Sequence, residues 1–195
     1  KIILFFPIML LINACSSLPE IDNNLQLHQW TNHQALVNEL ESWSIRGRTA
    51  IQSKNNSATF LLHWDQFDAG YELRFISGLG HGTYLLKGSA AGVVMRTPKN
   101  KVFTSDTPEK LIREKLGWDV YLAGLKYWMR GIPEPNVKYS QLLLDEKGRL
   151  KDMKQSGFSV SVLRYTDKRS ISLPEKLFIR SSDIQLRLVI QNWEI

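Results

Sequence analysis

From Trp43 onward, apolar side chains fall on alternate positions in one segment after another. Trp43, Ile45, Gly47, Thr49 and Ile51 alternate with Ser44, Arg46, Arg48, Ala50 and Gln52, the pattern of a strand with one buried and one wet face. Phe60, Leu62 and Trp64 share one face of a second segment, and Tyr71, Leu73 and Phe75 one face of a third, with the turn signal Asp68-Ala69-Gly70 between them. Further strands are expected over 83–88, 92–97, 101–104, 141–145, 150–155, 158–165, 176–181 and 184–193. The last is the cleanest, with Ile184, Leu186, Leu188 and Ile190 opposite Gln185, Arg187 and Gln191. Turns such as Glu146-Lys147-Gly148 and Ser182-Asp183 are too short for crossovers. About eleven strands joined this way give a mainly β fold, an antiparallel and strongly curved sheet or barrel with helices packed on or in it.

The period changes to 3.6 in three places. Trp30, His33, Leu36, Val37 and Leu40 recur at spacings of three and four, with Thr31 or Asn32 as N-cap. At Ser105-Asp106-Thr107-Pro108-Glu109 the strand pattern breaks; Thr107 can cap, Pro108 suits the first helical position, and Leu111, Ile112 and Leu116 run to the stop signal Gly117. Leu122, Leu125, Trp128 and Met129 form another helical stripe, closed by Gly131 and Pro133. No internal repeat or low-complexity segment interrupts the chain, and its 195 residues suffice for one domain with a real core.

Ahead of this domain, Lys1 precedes an apolar run from Ile2 to Ile12, then Asn13-Ala14-Cys15. About a dozen apolar residues are too few to span a bilayer, which takes roughly 20, but a basic start, short apolar run and small residue before the cleavage point make a signal peptide over 1–14. Leu11-Ile12-Asn13-Ala14-Cys15 resembles the lipobox of bacterial lipoproteins. That resemblance implies diacylglycerol and an N-acyl chain on Cys15, a lipidated tether over 15–26, and a domain over 27–195. Ser16, rather than Asp, after the cysteine points to the outer membrane under the sorting rule that goes with lipoproteins. Three acyl chains make a firm anchor where one binds marginally, each buried CH₂ adding about 0.8 kcal/mol. With its sole cysteine acylated, the chain has no disulfide to rely on.

The formal charge of +6 suits nucleic acid, anionic headgroups or an acidic protein. Export puts nucleic acid out of reach. His28, His33, His63 and His81 lack metal-ligand spacing, and neither H-E-x-x-H nor G-x-S-x-G occurs. Gly78-Leu79-Gly80-His81-Gly82 leads into a strand, so no helix N-terminus is there to hold a phosphate. Neither catalysis, a metal nor a cofactor is expected.

Several blocks together resemble the LolB family: Trp43-Ser-Ile-Arg46-Gly47-Arg48, His63-Trp64 with Gln66, Tyr71-Glu-Leu73-Arg-Phe before Gly78-Leu79-Gly80, Leu116-Gly117-Trp118, Leu125-Lys-Tyr-Trp128-Met-Arg-Gly131-Ile-Pro133, and the terminal strand through Trp193. The resemblance implies an incomplete antiparallel barrel whose concave side is covered by helices around an apolar cavity. It implies a monomeric lipoprotein on the periplasmic face of the outer membrane that accepts lipoproteins from a LolA-like periplasmic carrier and inserts them by holding their acyl chains. It also assigns Leu79, between Gly78 and Gly80, to a membrane-insertion loop. Candidate cavity lining comes from Trp43, Ile45, Phe60, Leu62, Trp64, Leu73, Phe75, Leu125, Trp128 and Met129, while Arg46 and Arg48 could face the mouth or the outer surface. The alternative is a structural lipoprotein that binds a partner through its sheet and holds no lipid.

Overall fold

A computed structural model describes residues 23–54, 56–78 and 82–195. The strands are β1 (Trp43–Ser53), β2 (Ser57–Phe67), β3 (Gly70–Ser77), β4 (Thr83–Ser89), β5 (Gly92–Arg96), β6 (Val102–Ser105), β7 (Tyr139–Leu144), β8 (Leu150–Gln155), β9 (Phe158–Lys168), β10 (Ile171–Arg180) and β11 (Ile184–Glu194). Every pairing is antiparallel. Consecutive strands are neighbours, β1 also pairs with β11, and the sheet order is β6-β5-β4-β3-β2-β1-β11-β10-β9-β8-β7. The one neighbour pair absent is β6 with β7. Between these two edges the chain folds instead as α2 (Pro108–Leu116) and α3 (Leu122–Trp128). This is the incomplete barrel with covering helices that the sequence led us to expect.

Alternation sets the two faces. Along β1, Trp43, Ile45, Gly47, Thr49 and Ile51 are buried, while Arg46 is half-buried on the outer side and Arg48 exposed there. A bulge between Arg46 and Gly47 brings β11 so close that a Cβ at Gly47 would lie 2.5 Å from the Val189 carbonyl oxygen, so glycine is the residue that fits. Trp43 packs its ring 5.4 Å from Trp64 and 5.6 Å from Trp193, and the Trp193 indole donates to the Pro174 carbonyl at 2.8 Å.

Two boundaries differ most from the sequence expectation. β10 starts at Ile171 rather than 176, because the register shift between Pro174 and Lys176 accommodates a residue with no N–H inside a strand. The first helix, α1 (Asn23–Asn38), begins well before Thr31 or Asn32, so its first turn takes in residues that a tether over 15–26 would include. Its buried stripe is also narrower, Trp30, His33 and Val37, with Leu36 46% exposed. The helix is held by its polar edges: Gln26 Nε2 donates to the Asp145 carbonyl at 2.7 Å, and Arg130 Nη1 donates to the carbonyls of Val37 (3.1 Å) and Leu40 (3.3 Å), satisfying groups that a helix end leaves open. In α2, Pro108 sits in the first turn and Gly117 caps the end at φ 76°; Thr107 occupies the N-cap, yet its hydroxyl makes no capping bond.

His33 lies under α1 with Trp30 and Tyr165 rings around it and no partner for Nε2. Burial, helped by the Arg149 cation, lowers its pKa to about 4. The unfolded chain therefore takes up this proton near pH 6.5 and the folded chain only near 4, so stability falls as pH drops through that window. Between pH 7 and 4.5 the His33 contribution to the loss should be about 2–3 kcal/mol. Urea unfolding of His33→Phe at both pH values should show a loss smaller by that amount.

Candidate functional site

The concave face of the sheet and the segment that joins its edges enclose an apolar cavity. Thr49 and Ile51 of β1, Phe60, Leu62 and Trp64 of β2, Leu73 and Phe75 of β3, and Leu186 and Leu188 of β11 form one wall. Ile112, Trp118, Val120, Leu122, Leu125 and Met129 form the other. Trp118 is the centrepiece, stacked on Phe60 with centroids 5.2 Å apart and planes at 15°, and edge-on to Phe75 at 6.3 Å. What space remains is about 40 Å³, room for a few water molecules at roughly 10–15 Å³ each. An acyl chain does not fit there. The expected pocket is, in this conformation, filled by the side chains of its own cover.

Seven of the ten lining candidates do meet here: Phe60, Leu62, Trp64, Leu73, Phe75, Leu125 and Met129. Trp43 and Ile45 are buried elsewhere along β1, Trp43 in the tryptophan cluster described above. Trp128 points to the other side of α3, where its indole donates to Gln155 Oε1 at 2.7 Å and its ring meets Tyr121 and Phe158. Gln155 also accepts from the Glu134 N–H (2.9 Å) and donates to the carbonyls of Glu134 (3.0 Å) and Val137 (2.9 Å). Trp128 thus rivets the cover to β8 instead of lining the void. Thr49, Ile51, Leu186 and Leu188 were recoverable from the alternation. Trp118 follows a helix stop and belongs to no period.

Fastening is uneven across the cover. The α3 end has the Gln155 clamp; within the cover, Glu109 of α2 accepts from the Leu122 N–H at 3.0 Å, an acidic cap on the first turn of α3 that joins the two helices. At the α2 end, exposed Asn56 donates to the Leu116 carbonyl at 3.3 Å and Lys115 lies 3.8 Å above the Phe103 ring, contacts that water replaces at little cost. Two buried polar atoms in the same region, Thr49 Oγ1 and Trp118 Nε1, have no partner among the described residues. Each unmade hydrogen bond costs the closed state about 1–3 kcal/mol.

Next to the cavity, and sharing Trp64 and Leu122 with it, lies an open groove of about 440 Å³ lined among others by Gln66, Tyr71, Gly88, Val93, Glu109 and Lys126. The Tyr71 ring lies where a Cβ on Gly88 would sit, 2.2 Å from its Cζ. Burial, with Glu109 nearby, pushes its phenol above the usual range. Arg46 faces away from both spaces, paired to Asp65 at 2.7 Å, and Arg48 is exposed on that outer face. Gly78 is exposed at the start of the β3–β4 connection, whose ends are tied by Ser77 N–H to the Gly82 carbonyl at 3.2 Å. Leu79, Gly80 and Cys15 lie outside the described residues.

A family model described as outer membrane lipoprotein LolB matches residues 41–193, from the end of α1 to the last strand. The chain belongs to the LolB family. An outer-membrane lipoprotein LolB of Pseudomonas putida is 34% identical over 166 residues, covering 85% of this chain and 80% of that one. Another from Pseudomonas aeruginosa is 30% identical over 187 residues, covering 94% and 91%. The fold is also that of a LolA superfamily protein from Nitrosomonas europaea, with TM-score 0.54 at 6% identity over 85% of this chain and 93% of that one. A DUF1329 family protein from Desulfovibrio piger gives TM-score 0.52 at 8% identity, over 87% and 92%. LolB membership and this fold support a role in outer-membrane lipoprotein sorting.

Trp118 carries the packing of the cover, and its removal tests that directly. Trp118→Ala should cost about 3–5 kcal/mol in urea unfolding, the range for deleting a buried aromatic. Trp118→Phe, which keeps a ring over Phe60, should lose less than half as much.

Proposed function

We propose that this protein is a lipid-anchored receptor that takes acylated proteins from a LolA-like carrier and passes them to the outer membrane, holding their acyl chains between the sheet and a cover that swings out. The observation that carries this reading is the join between β6 and β7: a helical segment with an apolar underside lies on an apolar concave face, and at its α2 end the burial of Leu111 and Ile112 is supported by weak polar contacts alone. Displacing Ile112 and Trp118 would uncover Phe60 and Phe75 and open a trough toward the neighbouring groove, which shares Trp64 and Leu122 with the cavity. An incoming acyl chain replaces the apolar contacts that the cover gives up, so opening and loading are coupled.

Energetics favour transfer from one apolar site to another. Each exposed CH₂ costs about 0.8 kcal/mol, so a triacylated protein does not cross water unaided. Direction needs only graded affinity, a tenfold preference taking about 1.4 kcal/mol. Cys15 would carry the protein's own acyl chains and hold it to the periplasmic face. Leu79, flanked by glycines on the β3–β4 connection, would dip into the bilayer at delivery, since a leucine leaving water gains about 1.5–3 kcal/mol. The rival reading, a partner bound along a sheet edge, is opposed by the edges themselves. β6 has four residues, and β7 is broken by register shifts and by Gln141 at φ 53°, both features that discourage added strands.

Two outcomes follow. A fluorescent fatty acid should bind the unacylated protein and be displaced by an acylated lipoprotein; absence of uptake sinks the reading. Leu79→Glu should leave that uptake unchanged while slowing delivery from carrier to liposomes by about 10- to 100-fold, the loss of one leucine's burial. Delivery at the wild-type rate would show that Leu79 plays no part.

A further inference from the structure

One end of the sheet presents a cluster of cations that make no ion pair among the described residues. Register places Ser77 opposite Phe60, Phe60 opposite Thr49, and Thr49 opposite Leu188, so the connection over 78–82 shares a rim with the β1–β2, β5–β6 and β10–β11 turns. On that rim the β5–β6 turn brings Arg96, Lys99 and Lys101 to the surface, all three exposed. Among the described residues none of them makes an ion pair, whereas nearby Lys54 is paired to Asp183 and Arg113 to Asp119. The opposite rim mixes Asp68, Asp106, Asp145 and Glu146 with Lys147, Arg149 and Arg169 in its turns, Arg149 being paired to Asp145, and the groove that shares Trp64 and Leu122 with the cavity opens there, beside Asp68 and Asp106.

The basic turn packs against Gly82. Thr97 N–H donates to the Lys101 carbonyl and Asn100 N–H to the Thr97 carbonyl, both at 2.9 Å, with Asn100 at φ 58°. Pro98 packs on Gly82 so closely that a Cβ there would come within 2.6 Å of the proline ring. Immediately after the turn, Val102 is 55% exposed. Cations without an ion-pair partner among the described residues, beside the exposed Val102 on one rim, match a bilayer interface with anionic headgroups. A purely acidic protein surface would leave Val102 unmatched.

We infer that Arg96, Lys99 and Lys101 form a docking surface for anionic phospholipid headgroups, which orients the β3–β4 connection toward the membrane. This rests on the reading that this connection is the membrane-facing one. Near an anionic surface each Lys or Arg contributes about a factor of five in binding, acting within a Debye length of roughly 8–10 Å. The three together supply roughly a hundredfold. Orientation by charge comes first, and apolar insertion follows.

The test uses the mature chain from residue 15 with Cys15→Ser, so that no acyl anchor contributes. Its sedimentation with phosphatidylcholine vesicles is compared with that on vesicles that also contain phosphatidylglycerol. The protein should prefer the anionic vesicles, and the preference should fade at high salt. Arg96→Gln/Lys99→Gln/Lys101→Gln should lose roughly a hundredfold of that preference at low salt while keeping fatty-acid uptake and circular dichroism unchanged. Leu79→Glu should keep the preference and lose delivery only. If the triple variant binds anionic vesicles like wild type, the surface is wrongly assigned; if it does so but accepts cargo from the carrier more slowly, the patch serves the carrier instead. Should Leu79→Glu deliver normally while the triple variant loses its preference, the headgroup surface stands and the insertion role of Leu79 falls.

Discussion

An antiparallel sheet that curls until its first and last strands meet bonds its own edges and shuts its interior. Here β6 and β7 come from adjacent parts of the chain, yet residues 106–138 intervene as two helices and their connections. The concave face consequently has no opposing sheet. Its apolar side chains, from Ile51 through Phe60 to Leu188, must be covered by that single segment or stay wet. Every other feature of the site follows from this requirement, including the aromatic stack of Trp118 on Phe60 and the anchoring of Trp128 through Gln155.

The same arrangement makes closure conditional. A core built of two sheets gains nothing by opening, but this cover has a buried polar clamp at its α3 end and, beside the buried Leu111 and Ile112, only exposed polar ties at its α2 end. Thr49 Oγ1 and Trp118 Nε1 remain without hydrogen bonds among the described residues when it is shut, which offsets part of the gain from burying Trp118, Leu122 and Met129. An acyl chain supplies the same kind of contact that those side chains supply. Under the proposed function, exchange between the two would need no covalent chemistry, only similar free energies for the covered and the loaded states.

Strand number, the antiparallel order and the helical insertions were legible because period two and period 3.6 are printed in the residues themselves. Phe60, Leu62, Leu73 and Phe75 could be placed on one wall from alternation alone. What the pattern could not supply was which buried face meets which. Trp43, Ile45 and Trp128 carry the same apolar signature as the lining residues, but the tryptophan cluster at one end and the Gln155 clamp draw them away from the void. Nor does periodicity reveal that Trp118, in the connection between two helices, fills the space: a loop residue's direction is set by tertiary packing. Leu36 erred the other way, helical in spacing but left exposed because α1 docks on a narrow stripe.

The central claim is that loading lifts the α2 end of the cover from the sheet. Spin labels at exposed Glu114 on α2 and exposed Gln52 on β1 would report that separation by pulsed electron spin resonance. Saturation with a long-chain fatty acid should move the distance distribution several ångströms outward. Binding of the fatty acid with an unchanged distribution would contradict the account.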